Sequence, residues 1–92
     1  MTRYHVDIKE KAQLDLKRLQ KDEPLSYKKA LKLIAELYEH PTTGTGHPEP
    51  LKGDPKGRWS RRVSGKHRLV YRVLDTEVIV LVLSAYGHYE DK

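Results

Sequence analysis

The chain has 92 residues, no cysteine and a formal net charge of +5. This length is typical of a single domain with one modest core, and we expect residues 1–92 to form it. With 37% hydrophobic and 34% charged residues, the composition excludes a disordered chain and a membrane protein. The lack of cysteine excludes disulfides and thiolate metal sites and, together with the lack of an apolar leader, favours a cytoplasmic location. The positive charge favours a polyanionic partner such as nucleic acid or an acidic protein.

A short strand and two amphipathic helices are predicted for the first part of the chain. Apolar residues alternate with polar ones around Tyr4, which is typical of a strand. Asp7 and Glu10 have the spacing of a capping box, so the first helix is predicted over 8–21. A second helix is predicted over 24–39, because Pro24 suits a helix start and the residue before Pro41 avoids helical backbone.

Residues 41–57 are rich in proline and glycine, so they are predicted to form a loop. A loop of this length in a small domain is more often functional or disordered than incidental. Strands are predicted at 59–63, 67–74 and 78–85, with turns between them. The order is therefore β-α-α-β-β-β, and the fold class is α+β: one antiparallel sheet that carries an N-terminal helical hairpin.

Side-chain alternation sorts the residues of the first two of these strands. Trp59 and Arg61 share one side of their strand and Arg62 lies on the other; His67 and Arg68 likewise lie on opposite sides. Arginines from the two strands can converge on a patch wide enough for several phosphates. Only one of Arg61 and Arg62 can serve that patch, and the pattern does not decide which.

Residues suited to RNA cleavage can meet at the end of the last strand. In an antiparallel sheet His88 can lie beside Arg68, and Glu49 can face both. Cleavage without a metal needs a base for the ribose 2′-hydroxyl, a cation beside the phosphate and an acid for the leaving 5′-oxygen. Glutamate, arginine and histidine suit these three roles, and Tyr89 and Trp59 can stack on unpaired bases.

The segment 44–73 resembles the YoeB/Txe family of the RelE/ParE toxin superfamily. The motifs that carry the resemblance are "GHPEPLKGD", "GRWSRRV", "HRLVYRV" and the terminal "HY". The resemblance implies the toxin of a type II toxin–antitoxin system, an mRNA interferase that acts on the ribosome, inhibits translation and is neutralised by a YefM- or Axe-like antitoxin. It also implies that Glu49 is the general base, Arg68 the transition-state clamp, His88 the general acid and Tyr89 a substrate-positioning residue.

Several of these residues also have a structural interpretation. The candidates for RNA contact are Lys52, Trp59, Arg61, Arg62 and His67. Trp59 equally suits the core of a domain that lacks phenylalanine, and Arg68 suits a surface ion pair. The histidines lack metal-ligand spacing, so no metal or cofactor is expected. The rival function is a non-catalytic basic module that binds RNA or a protein, and the tyrosines of the second helix leave a homodimer open.

Overall fold

The computed structural model describes residues 3–87 and confirms the α+β class. Strand β1 (His5–Ile8) is followed by helices α1 (Glu10–Asp22) and α2 (Pro24–Leu37). The remaining strands are β2 (Glu49–Pro50), β3 (Arg58–Arg62), β4 (Arg68–Leu74) and β5 (Ile79–Ser84). They form a five-stranded sheet in the order β1-β5-β4-β3-β2. Neither helix in residues 3–87 combines the length and the apolar composition that a membrane span requires.

The sheet is antiparallel apart from one pair of strands. β1 runs parallel to β5, whereas β2, β3, β4 and β5 pair with their neighbours in antiparallel fashion. This pair departs from the prediction of a purely antiparallel sheet, because the helical hairpin carries the chain away from β1 and the last strand returns beside it. β2 was not predicted; it is a two-residue strand inside the predicted loop.

The first helix begins at Glu10 rather than at residue 8. Asp7 and Ile8 remain extended because they pair with β5. Lys9 precedes the helix and gives it no side-chain cap, so the predicted capping box of Asp7 with Glu10 is wrong. Gln13 instead donates a hydrogen bond of 2.8 Å from Nε2 to the carbonyl oxygen of Ile8.

The hairpin packs on one face of the sheet, and most of the buried apolar side chains form a cluster between them. Its members are Ala12, Leu16, Leu19, Ala30, Leu33, Ile34, Leu37, Val63, Leu69, Tyr71, Val80, Val82 and Ala85. Along β4 and β5 these residues alternate with others that point away from the hairpin. The second face of β2, β3 and β4 carries Glu49 and several arginines, with the buried Ser60 and Val70 between them.

Arg61 of β3 lies on the core side of the sheet with no exposed surface. Its Nη1 forms an ion pair of 2.8 Å with Glu36 Oε1, and its Nε donates to the hydroxyl of Tyr71 at 3.0 Å. Its Nη2 donates to the backbone carbonyls of His40 and, at 2.7 Å, Thr43. One guanidinium thus binds α2, β4 and the loop that follows α2.

The Glu36 carboxylate remains charged in this environment. Burial, the largest single influence on its pKa, disfavours the charge, but hydrogen bonds from Thr45 and the charge of Arg61 together outweigh burial and lower the pKa. One of these bonds comes from the backbone N–H of Thr45 at 2.9 Å. Removal of either Arg61 or Glu36 would leave the charge of the other without its partner in a buried site, which lowers the stability of the fold.

Two glycines let the loop approach this ion pair and β3. A Cβ at Gly44 would lie 2.5 Å from Glu36 Oε1, and a Cβ at Gly46 would lie 3.0 Å from the carbonyl oxygen of Arg62. Both have positive φ, 111° and 86°, which glycine adopts without strain. The packed loop leads to Glu49 at the edge of the sheet.

We expect Arg61→Met to lower the free energy of unfolding by about 3–5 kcal/mol, because Glu36 and the loop carbonyls lose their buried partner. Arg62→Met is the matched control: Arg62 is exposed, and a change within about 0.5 kcal/mol is expected there. Urea unfolding followed by circular dichroism measures both. Equal losses in the two variants would show that the buried contacts do not carry this energy.

Candidate active site

The sheet face opposite the hairpin carries four arginines in two cross-strand pairs. Arg58 lies opposite Arg72, and Arg62 lies opposite Arg68. Directly opposed side chains have Cβ atoms about 5 Å apart, and like charges in such positions destabilise a sheet. Anionic groups beside these side chains reduce such repulsion. We call Arg58, Arg62, Arg68 and Arg72 the arginine face.

Arg58 is paired with a carboxylate of the loop before β3. Arg58 donates from Nε to Asp54 Oδ2 at 3.0 Å and from Nη2 to Asp54 Oδ1 at 3.1 Å. The hydrogen bonds from the Arg58 side chain and then from its backbone N–H lower the pKa of Asp54 to about 2. Within residues 3–87, by contrast, no carboxylate forms an ion pair with Arg62 or Arg72. Their charges remain available to a bound anion.

Glu49 extends this face by one strand. It lies opposite Ser60 of β3, and Ser60 is two residues from Arg62 on the same side of the strand. The Glu49 side chain is exposed. Two strand spacings and a two-residue offset separate the backbones of Glu49 and Arg68 by about 12 Å. Both side chains can reach into that interval, so a ribose and its phosphate fit between a carboxylate and a guanidinium.

The end of the described chain lies beside Arg68. The backbone N–H of Arg68 donates to the carbonyl oxygen of Gly87 at 2.9 Å. This contact agrees with the prediction that the end of the last strand approaches the start of β4. His88 and Tyr89 lie outside the described residues, so their roles stay predictions.

The other candidates for RNA contact occupy different environments. Arg61 and His67 are 0% and 2% exposed and are bonded within the protein, so they are structural residues rather than RNA ligands, which corrects the prediction. Trp59 is half-buried and packs against the core cluster, as its structural interpretation requires. Lys52 and Arg62 are exposed. Of the two adjacent arginines, Arg62 is the one that RNA can reach.

Sequence reasoning missed Arg58 and Arg72 as members of the site. The signal was present, because Arg58 is two residues from Arg62 on one side of β3 and Arg72 has the same relation to Arg68 on β4. The strand register, which places the four side chains in opposed pairs, was not available from the sequence. That register turns separate arginines into one surface.

Comparison with known proteins identifies relatives for most of the chain. Residues 8–89 match the family model described as a YoeB-like toxin of bacterial type II toxin–antitoxin system. Toxin YoeB of Streptomyces coelicolor is 45% identical over 62 residues, which cover 67% of this chain and 71% of that protein. Toxin YoeB of Mycobacterium bovis is 50% identical over 58 residues, which cover 63% of this chain and 66% of that protein.

Solved structures share the fold over nearly their whole length. A YoeB/ParE toxin from Agrobacterium tumefaciens has a TM-score of 0.82 and 34% identity, with 92% of this chain and 99% of that chain covered. The YoeB dimer from Staphylococcus aureus has a TM-score of 0.79, and the YoeB–YefM complex from the same organism has 0.75. Both are 31% identical and cover 96% of this chain and 100% of that chain.

We expect the pairing of Asp54 with Arg58 to contribute a part of the free energy of unfolding that is lost at acidic pH. The folded pKa of about 2 lies below the usual 3.8, so this contribution is present above the unfolded pKa and is lost as pH falls through the folded one. Asp54→Asn should therefore show a shallower fall in urea midpoint between about pH 4 and about pH 2 than the unmodified protein. Asp22→Asn, on the exposed end of α1, should follow the unmodified protein. A parallel decline in all three would contradict the assignment to Asp54.

Proposed function

Because this chain belongs to the family of YoeB-like toxins of bacterial type II toxin–antitoxin systems, we propose that it is an endoribonuclease that cleaves mRNA on the ribosome and inhibits translation. The observation that carries the proposal is the exposed Glu49 on the same sheet face as the opposed pair Arg62 and Arg68. In the proposed reaction this carboxylate serves as the base, and the two guanidinium groups bind the phosphate of the same nucleotide. The mRNA substrate implies a cytoplasmic location.

The proposed reaction is an attack by the ribose 2′-hydroxyl on the adjacent phosphorus and needs no metal. Glu49 takes the 2′-proton as the new O–P bond forms, and the bond from phosphorus to the 5′-oxygen breaks. The products are a 2′,3′-cyclic phosphate and a 5′-hydroxyl. Arg68, with Arg62 opposite it, stabilises the charge that grows on the non-bridging oxygens, since a guanidinium matches phosphate geometry.

His88 is proposed to protonate the leaving 5′-oxygen, and Tyr89 is proposed to position the substrate. Both roles rest on the family resemblance of the "HY" motif. The position of Gly87, whose carbonyl oxygen bonds the N–H of Arg68 at 2.9 Å, supports them, because the next residue in the chain is His88. The acid would then act near the phosphate that Arg68 binds.

The ribosome is proposed as the partner that orients the RNA. Glu49 and Arg62 lie on an exposed part of the sheet, where a flexible single strand would sample many orientations. Correct orientation of reacting groups can lower an activation barrier by about 7–11 kcal/mol in favourable cases. Lys52 and Arg72 are proposed to contact neighbouring nucleotides once the strand is held, whereas Trp59 packs against the core cluster on the other side of the sheet.

We propose that an acidic, YefM-like antitoxin neutralises the protein by covering its basic surface. The net charge of +5 and the arginine face suit a flexible acidic segment that folds on binding. The YoeB–YefM complex from S. aureus supports the pairing. A homodimer is likewise proposed, with support from the S. aureus YoeB dimer.

We expect Glu49→Gln to slow mRNA cleavage by at least about 100-fold, because the amide cannot accept the 2′-proton. Binding to ribosomes should be unchanged. Primer extension on an mRNA translated in a purified system measures cleavage, and cosedimentation measures binding. Glu77→Gln is the matched control, since it removes the same charge from an exposed residue in the turn between β4 and β5 and should cut normally.

Two results would contradict this proposal in different ways. Cleavage by Glu49→Gln at the unmodified rate would remove Glu49 from the role of base. Ribosome binding without any cleavage by the unmodified protein would favour the rival function, a basic binding module.

A further inference from the structure

Residues 85–87 are fastened to the rest of the protein by their backbone groups, although they follow the end of β5. The N–H of Ala85 donates to Asp15 Oδ2 at 2.9 Å, and the N–H of Gly87 donates to His67 Nδ1 at 2.8 Å. The carbonyl oxygen of Gly87 accepts from the N–H of Arg68 at 2.9 Å. Contacts from α1, from the turn before β4 and from β4 itself therefore fix this segment.

The aromatic ring of Tyr86, which lies between Ala85 and Gly87 in the chain, also contacts two side chains of the protein. Tyr86 packs on His67 with ring centroids 4.4 Å apart, and the guanidinium carbon of Arg18 lies 4.0 Å from the Tyr86 centroid. Tyr86 thus contacts an imidazole and a cation from α1. A cation over an aromatic face adds attraction beyond simple contact.

The hydrogen bonds of His67 define its tautomer. The backbone N–H of Gly87 can only donate, so Nδ1 accepts and the proton of the neutral ring sits on Nε2. Nε2 lies 2.8 Å from Glu23 Oε2 and donates to it. That bond is the main reason why the pKa of Glu23 is lowered; burial opposes the shift, and the charge of Lys66 adds to it. Glu23 lies between α1 and α2, so the contact chain Glu23–His67–Gly87 links the helical hairpin to the end of the described chain.

We propose that His67, oriented by Glu23, is a positioning residue that fixes Gly87, the residue before His88, beside Arg68. The inference rests on the proposed function, in which Arg68 and His88 act on the same phosphate. His67 directly precedes Arg68, and it binds Gly87, which directly precedes His88. The hydrogen bond between His67 and Gly87 therefore joins the residue before Arg68 to the residue before His88.

Two substitutions of His67 separate its two hydrogen bonds. Asparagine places an acceptor near the position of Nδ1 and keeps the bond to the N–H of Gly87, but it does not reach Glu23. Glutamine places a donor near the position of Nε2 and keeps the bond to Glu23, but it leaves the N–H of Gly87 unpaired. Both replace the ring with a neutral amide, so loss of the stack on Tyr86 is common to the two variants.

We expect His67→Gln to lower the rate of mRNA cleavage at saturating ribosomes by at least about tenfold, because small misplacements of reacting groups are costly. Ribosome affinity should be retained. His67→Asn should stay within about threefold of the unmodified protein, as its acceptor preserves the bond that holds Gly87. Hydrogen exchange of the Gly87 amide, measured by nuclear magnetic resonance on the free protein, should accelerate in His67→Gln and remain slow in His67→Asn.

Glu23→Ala supplies a further test that leaves the imidazole in place. Nitrogen chemical shifts of His67 should show one tautomer in the unmodified protein and a mixture in Glu23→Ala, with a matching loss of cleavage rate. Equal loss of cleavage and of Gly87 protection in the asparagine and glutamine variants would overturn the proposal, and so would full retention of both in His67→Gln. The Gly87 amide reports on the contact even if the unmodified protein cuts no RNA, so failure of the proposed function is distinguishable.

Discussion

The burial of the Arg61 guanidinium is the constraint on which the rest of the site depends. A proline- and glycine-rich loop has no internal ladder to satisfy its carbonyl groups, and the fixed fork of a buried arginine supplies donors to several of them at once. Burying such a charge is favourable only with an opposite charge and good geometry, which Glu36 provides at 2.8 Å. The loop held in this way ends at β2, and β2 brings Glu49 to the face that carries the other arginines. A salt bridge on the core side thus places a carboxylate on the solvent side.

The two central strands use alternation to give adjacent residues opposite roles. Arg61 points to the core and Arg62 to solvent; His67 is buried and Arg68 lies on the arginine face. Arg62 and Arg68 are therefore each preceded in the chain by an inward polar side chain that binds a distant segment. Arg61 holds the loop that leads to Glu49, and His67 holds the backbone of Gly87. The same strands that present the cations also fix the segments around them.

Hydrophobic periodicity predicted both helices and the longer strands because these elements bury one face against a common core. The predicted ends of helices and strands were wrong where long-range contacts determine the backbone conformation. Asp7, for example, pairs with β5 instead of capping a helix. Val78 has φ of 59°, so it belongs to the turn and β5 starts one residue later. The motifs identified Glu49, which the structure places on the same face as the arginines. They could not show that Arg61 is buried, because its partners come from α2 and a loop far away in the sequence.

We propose that RNA lies across the arginine face between β2 and β4, and a structure of the protein bound to a ribosome would test this placement. The mRNA in that complex would carry a 2′-O-methyl group at the cleaved nucleotide, which blocks the attack. We expect the reacting phosphate to be bound by Arg68 and Arg62, with the 2′-oxygen beside Glu49 and a neighbouring phosphate against Arg72. An mRNA that contacts only the helical hairpin, with Glu49 and the arginine face turned towards solvent or ribosomal protein, would contradict it.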